Sequence, residues 1–389
     1  MAVRLSDVID LLEGWYDPAT AEPWDRVGLV CGDPDAEVRR VLLAVDPTLA
    51  VVEEARDVGA DLLVVHHPLL LTPVSSVAPT TPKGAVVHRL LAGGRHGIAL
   101  FTAHTNADCA PDGVNESLAK AIGLADSAVI DPVDTGTGRL DKIVTFVPHS
   151  HAEQVRRALT EAGAGAIGDY DSCTFTGHGE GRFRPLTGAT PAIGRVGEVE
   201  VVDEHRVEAV LPRSRRTAVV AALRAVHPYE EPAYDVVELA NEASGQPARG
   251  HGRVGDLASP TTLRGFAEQV AAAIPATAGG VRVAGDPDRP VRKVAVVCGA
   301  GDSFLDDVLR LDADVYVTSD LRHHRAGEFL EHRGAALVDI AHWAAEWTWL
   351  PVLEAKLQAA LGEVAAGGDT VETRVSTVNT DPWTFRVDR

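Results

Sequence analysis

The chain has 389 residues, of which 45% are hydrophobic, enough to build cores in two or three domains of roughly 150 residues each and too apolar for an extended disordered protein. It carries 36 Lys and Arg against 56 Asp and Glu, a formal charge of −20, which excludes general nucleic-acid binding because phosphate is repelled over most of the surface. Four scattered cysteines, Cys31, Cys109, Cys173 and Cys298, form no CxxC pair and exclude both a disulfide framework and a thiolate zinc knuckle. Asp7, Asp10 and Glu13 interrupt what a signal peptide would need, and no run approaches the ~18 apolar residues of a membrane span. The expectation is a soluble, cytoplasmic protein.

In chain order, residues 41–45 form a β-rich apolar run closed by the turn pair Asp46-Pro47, 49–58 reads as a helix, and 62–65 as a second buried strand. A helix over 83–91, a strand over 98–101 and a helix over 115–124 ended by Gly123 follow. Near-continuous apolar strands separated by helices predict a parallel sheet covered on both faces. From Asp134 the chain turns Gly-rich and strand-leaning, with strands at 142–147, 198–202, 206–211 and 234–239 and helices at 152–162 and 217–226. A polar segment, 240–250, leads back to the first pattern. Ser259-Pro260 reads as the N-cap and first turn of a helix carrying Leu263, Phe266, Val270 and Ile274. Strands at 294–297, 315–318 and 337–340 alternate with helices from Phe304 and Gly327, before a last helix over 344–361 and an edge strand over 371–377. The predicted fold class is α/β: a discontinuous, mainly parallel-sheet core over 1–137 and 240–389, with an inserted α+β domain over 138–239.

Ligands of an open parallel sheet collect at the carboxyl ends of its strands. Three strands end there in metal-binding residue types: 62–65 runs into His66-His67-Pro68, 98–101 into a segment holding His104 and Asp108, and 337–340 into His342 and Glu346. His342 and Glu346 are four apart where a helix begins, so both can project from one face. Each histidine alone reads more readily as a packed or surface residue than as a ligand, and the helical pair more readily as a solvated ion pair; the argument rests on convergence at one sheet edge. The mixed imidazole and carboxylate set, His66, His67, Asp108, His342 and Glu346 with His104 nearby, suits zinc, manganese or iron(II). Five ligands exceed one open catalytic zinc and suit two divalent ions sharing a carboxylate and a bridging hydroxide. A second polar cluster, from Thr318 through Asp320 to His324, reads as substrate contact or as a capped loop, and Cys298-Gly299-Ala300-Gly301 as an anion-holding or simply packed turn. Neither GxGxxG match, at Gly250 and at Gly163, follows a strand, and there is no P-loop and no GxSxG elbow.

Taken together these segments resemble the Nif-three-like family of dinuclear-metal proteins, also labelled GTP cyclohydrolase I type 2 homologues. Trp24-Asp25-Arg26-Val27-Gly28-Leu29-Val30-Cys31-Gly32 resembles its opening WDNxGLxxG, His66-His67-Pro68 its HHP signature, the stretch from Thr102 to Asn115 its AHTNxD…GxN segment, and His342 with Glu346 its closing GHxxxE. Arg26, Ser319 and Ala341 depart from the pattern without removing a ligand. The resemblance implies that His66, His67, Asp108, His342 and Glu346 hold two divalent ions, zinc first and manganese or iron as alternatives. It places His104, Asp320 and His324 in the same cleft, and His104 or His324 is the candidate to move protons there if it reaches the substrate. Segments around Tyr170, Gly179 and His227-Pro228-Tyr229 resemble the PII/CutA-like domain of longer members, and such members assemble as homohexamers. The implied activity is metal-dependent hydrolysis of a GTP-like or other small anionic substrate. The alternative is a non-catalytic, metal-binding hexameric assembly or adaptor protein. No membrane partner is expected.

Overall fold

The computed structural model describes residues 3–93, 96–133, 139–168, 170–242, 249–332, 334–364 and 370–387. The chain forms two compact units, one of Met1–Val133 with Ala248–Arg389 and one of Asp134–Pro247. The sequence-predicted boundary at 137/138 and most of the predicted linker, 243–248, lie outside the described residues, while 240–242 complete a strand instead.

The first unit opens with α1 (Leu5–Trp15), which buries Leu5, Val8 and Leu12 at helical spacing. Strands β1 (Gly28–Cys31), β2 (Arg40–Ala44), β3 (Leu62–Val65) and β4 (Ala99–Thr102) follow, with α2 (Leu49–Asp57) and α3 (Pro82–Leu91) as the crossovers that parallel neighbours require. Every residue of β3 is buried, Leu62 and Val64 in one core and Leu63 and Val65 in the other, as a strand covered on both faces demands. Helices α4 (Thr105–Asp108) and α5 (Val114–Ala121) precede β5 (Leu124–Pro132). The helix expected to reach Leu124 stops at Ala121, because Gly123 turns the chain at φ 98° and Leu124 starts a strand.

The inserted unit runs β6 (Arg139–Pro148), α6 (Ala152–Glu161), β7 (Thr174–Phe183), β8 (Glu200–Pro212), α7 (Arg216–Val226) and β9 (Tyr234–Glu242). Its four antiparallel strands lie in the order β7-β8-β6-β9, the split βαβ topology of ferredoxin-like domains. Both helices pack on one face, where Val155, Leu159, Val219 and Leu223 meet Ile143, Val147, Val207 and Leu211. The two strands expected at 198–202 and 206–211 are one. The polar run Asp203-Glu204-His205 stays in the ladder, opposite Glu180, Gly179 and His178 of β7.

The chain then returns through β10 (Gly250–Thr262), α8 (Leu263–Ala273), β11 (Arg282–Ala284), β12 (Pro290–Ala300), α9 (Leu305–Leu309), β13 (Val315–Ser319), α10 (His323–Glu331) and β14 (Ala336–Ile340), and ends with α11 (His342–Trp347), α12 (Trp349–Val364) and β15 (Glu372–Val375). Ser259 and Pro260 belong to β10; the cap of α8 is Thr262, whose hydroxyl accepts the Gly265 amide at 3.1 Å. The single last helix expected over 344–361 is divided at Thr348, since Pro351 would clash with the carbonyl of residue 347 in an unbroken helix.

Instead of one mainly parallel sheet, the first unit holds two sheets of mixed direction. In β1-β4-β3-β2-β15 only β1 is antiparallel; in β11-β14-β13-β12-β10-β5 the trio β12, β13 and β14 is parallel and the other pairings are antiparallel. The sheets share one core, in which the buried Trp349 donates its indole N–H to the Tyr16 hydroxyl at 3.0 Å.

Candidate metal centre

Beyond Val65 the β3 ladder ends: the amides of His66 and His67 both donate to the Val45 carbonyl, at 3.1 and 2.9 Å. The alternation that would send neighbouring side chains to opposite faces ends with it, and the two imidazoles stand with ring centres 5.1 Å apart. His104 follows β4 just before α4, its amide capped by the Asn106 side chain at 2.9 Å. His342 and Glu346 lie one turn apart on α11 directly after β14.

In all four of these histidines Nδ1 is tied down. His66 Nδ1 lies 2.9 Å from the Ala103 carbonyl, His67 Nδ1 2.7 Å from Asp46 Oδ1, His104 Nδ1 2.9 Å from Asp25 Oδ1 and His342 Nδ1 2.7 Å from Asp320 Oδ2. With Nδ1–H donating outward, each Nε2 is the nitrogen left to face inward, where a metal can take the place of a proton, the arrangement by which an outer shell fixes metal-binding imidazoles. The Nε2 atoms of His66, His67 and His342 converge on Glu346, whose side chain is 3% exposed. Its Oε1 is 2.7 Å from His342 Nε2 and 3.4 Å from His66 Nε2, and its Oε2 is 3.2 Å from His67 Nε2. Two groups, His66-His67-His104 and His67-His342-Glu346, each bring their ligand atoms within 4.8 Å of one another. Asp108 falls outside both, with Oδ1 3.7 Å from His66 Nε2.

Burial opposes charge throughout the cluster, yet the attraction between imidazoles and carboxylates prevails. His67 is pushed up to about 11 and His342 to about 10, chiefly by Glu346 and by Asp46 and Asp320 respectively. Glu346, despite complete burial, is held well below the usual carboxylate range by His67, His342 and His66. Asp108 moves the other way, raised by burial. The test of fit for a cation is Glu346 Oε2, a buried oxygen without a hydrogen-bond partner among the described residues. A buried carboxylate oxygen that makes no hydrogen bond and lies 3.2 Å from the anchored His67 imidazole suits a borderline divalent ion. Gly299 keeps the wall open: at φ 78°, a Cβ there would lie 3.1 Å from Glu346 Oε1 and 3.5 Å from His342 Nε2.

His104, expected beside the ligands, comes within ligand distance of His66 and His67. Asp320 holds His342 from a left-handed backbone conformation, φ 56°. His324 is not brought to the cluster; it is exposed on the first turn of α10, its ring against that of His323. Asp25 and Asp46 were missed as site residues. The signal for Asp46 was its place just after β2, at the edge where β3 ends; Asp25 precedes β1, which reaches that edge only because it runs antiparallel to β4, Gly28 opposite Thr102. Two clefts open on the cluster. One, of about 430 Å³, is lined by Trp24, His104, Asp108, His251 and Phe304; the other, of about 620 Å³, by Asp46, His342, Arg282, Trp383 and Phe385.

Residues 3–382 match the model of the Duf34/NIF3 (NGG1p interacting factor 3) family. A Mycobacterium bovis protein named GTP cyclohydrolase 1 type 2 homolog is 51% identical over 98% of this chain and 97% of its own length, and a Bacillus subtilis protein of the same name is 38% identical over 99% of each. Among solved structures, a Bacillus cereus protein related to NIF3 superposes with a TM-score of 0.74 at 36% identity, covering 99% of this chain and 100% of its own. A Staphylococcus aureus protein superposes at 0.80 with 28% identity, covering 99% of each chain. A match along nearly the whole chain, at these identities, means that the protein belongs to the Duf34/NIF3 family.

Proposed function

We propose that this cluster is a two-metal hydrolytic centre acting on a small anionic substrate of the nucleotide kind. The observation that carries the reading is the set of anchored imidazoles presenting Nε2 toward a buried carboxylate, one oxygen of which makes no hydrogen bond among the described residues. His66, His67, His342, Glu346 and Asp108 would hold the ions, zinc by preference with manganese or iron(II) as alternatives, and Glu346 is the carboxylate within reach of both sides. Bound divalent ions would supply Lewis acidity and a lowered pKa for coordinated water. The chain's own residues do the rest. Asp25 fixes His104 with Nε2 directed inward, which suits that ring to proton transfer or to ligation. Trp24, 55% exposed at the rim and edge-on to His104, offers a face on which a planar base can stack. The names of the curated relatives support a GTP-like substrate.

The finer family features belong to the same proposal. The βαββαβ topology supports a PII/CutA-like reading of the inserted unit. Four free cysteines, together with the absence of any long apolar helix among the described residues, support a cytoplasmic setting, and assembly as a homohexamer is the oligomer to look for by sedimentation. The deciding experiment loads purified protein with Zn(II), Mn(II) or Fe(II) and screens it against nucleotides and phosphoesters. Glu346→Ala and Asp108→Ala should each lower turnover by roughly 100-fold or more. Turnover that survives both changes would overturn the hydrolytic reading; metal binding without turnover on any substrate would favour a metal-binding assembly or adaptor protein.

A further inference from the structure

The inserted unit carries a second group of imidazoles, remote in sequence from every residue of the centre described above. β8 lies between β7 and β6, and its His205 is the direct cross-strand partner of His178 on β7 and of Val147 on β6. His149 stands two residues beyond Val147, in the turn that leads into α6. Directly paired residues project to the same face, so His178 and His205 are neighbours by register. Their ring centres are 4.3 Å apart, and those of His149 and His205 are 4.6 Å apart.

His205 is the informative member. Along β8 it shares its face with Val207, Ala209 and Leu211, which line the unit's core. It is 8% exposed, and both of its ring nitrogens are buried without a hydrogen-bond partner among the described residues. Burying an imidazole that way carries a desolvation cost that no described neighbour offsets, whereas a cation shared with the adjacent rings would offset it. Burial and the neighbouring His178 and His149 also keep its pKa below the ordinary histidine value, which favours the neutral form that ligates metal. His149 and His178 are exposed, so their rings can turn toward it. Imidazoles sharing one tetrahedral ion place their ring centres roughly 5 Å apart, given ligand bonds of about 2 Å. Neighbouring rings of the first cluster show that spacing, from 5.0 to 5.5 Å, so the rings of His149 and His178, at 4.6 and 4.3 Å from that of His205, would take an ion by turning their nitrogens toward it. The nearby guanidinium of Arg156 is paired with Glu153 at 2.6 Å.

We propose that His149, His178 and His205 form a separate metal site on the inserted unit, which takes a single late first-row divalent ion such as Zn(II), Co(II) or Cu(II). The site does not depend on any activity of the first cluster. Full-length protein stripped of metal is titrated with Zn(II), and bound zinc per chain is measured after desalting; Co(II) serves as a second probe with a visible absorption signature. The double variant His149→Ala/His178→Ala alters only exposed rings, and circular dichroism checks that it folds. It should lose about one ion per chain relative to the parent. His205→Phe, which keeps a ring in the core, should lose the same ion. Glu346→Gln, directed at the first cluster, should retain it together with its Co(II) spectrum. Equal zinc content in the parent, the double variant and His205→Phe would overturn the proposal, as would the absence of any bound Co(II) in a variant carrying both Glu346→Gln and His67→Ala.

Discussion

Each converging imidazole is useful to a cation only in the tautomer that leaves Nε2 bare, and the groups that fix that tautomer are separate from the candidate ligands. Asp46 does this for His67 and is itself held through its other oxygen by the Thr380 hydroxyl. Asp46→Ala should therefore weaken zinc binding by roughly 10–100-fold while leaving every ligand in place, as measured by chelator competition. Unchanged affinity would mean that the anchor is dispensable. The pH dependence follows from the same residues. His67 and His342 hold their protons more tightly in the folded protein, at about 11 and about 10, than the ordinary value of 6.5 that the unfolded chain shows. A raised folded pKa contributes stability that is complete below about 6.5 and is lost as pH climbs through the folded values. Metal-free protein should accordingly lose thermal stability between about pH 6.5 and pH 11, whereas zinc, which replaces those protons, should remove most of the slope. Calorimetric scans of both forms across that range check it. The candidate ligands stand out in the sequence because His66, His67, His342 and Glu346 follow apolar runs that read as strands. Their anchors were not, since a lone Asp after a strand is indistinguishable from a turn residue until the sheet edge is assembled.

Elements were legible in proportion to how continuously they are buried. β3, β13 and β14 were found almost to the residue because a parallel strand covered on both faces is apolar throughout. β1, β5 and β11 lie at sheet edges with mostly partial or full exposure, β7 carries Gly177, Gly179 and Gly181, and the apolar runs of β1 and β5 are only three residues long, Leu29-Val30-Cys31 and Ala128-Val129-Ile130. β10 shows what joins the two kinds. Its Arg253 is 2% exposed and donates to the carbonyls of Gly250, Gly252 and Ala110 at 2.8, 2.8 and 3.2 Å, with Glu116 3.5 Å away. One guanidinium thus ties β10 to the segment before α5 and to α5 itself. Arg253→Met keeps the volume but leaves those buried acceptors unpaired, and should destabilise the protein by roughly 2–4 kcal/mol. Urea denaturation measures it; a change under about 0.5 kcal/mol would mean that water replaces the guanidinium.

At the scale of the whole molecule, a formal charge of −20 coexists with a cluster whose residue types suit a cation, so acidity excludes general polyanion binding without excluding a small anionic ligand there. The interruption of the first unit by about a hundred residues is equally local in its consequences. The core of the inserted unit draws only on its own residues, between Ile143 and Val236, and none of these contributes to the cores around β3 and β13. The ends that the insertion separates are already adjacent in the first unit. Pro132 pairs with Gly250 across β5 and β10, and the Val133 amide donates to the Arg249 carbonyl at 3.0 Å. A loop of about two or three glycines suffices to join Val133 to Arg249, because a hairpin needs no more. A chain with 134–248 replaced by such a loop should fold cooperatively and bind zinc at the first cluster within about threefold of the parent affinity, since all of its ligands and their anchors lie outside the excised segment. Calorimetry and chelator competition on the shortened protein test both halves of the expectation. A shortened chain that folds but binds zinc more than about tenfold more weakly would mean that the inserted unit shapes the centre energetically despite contributing no ligand to it.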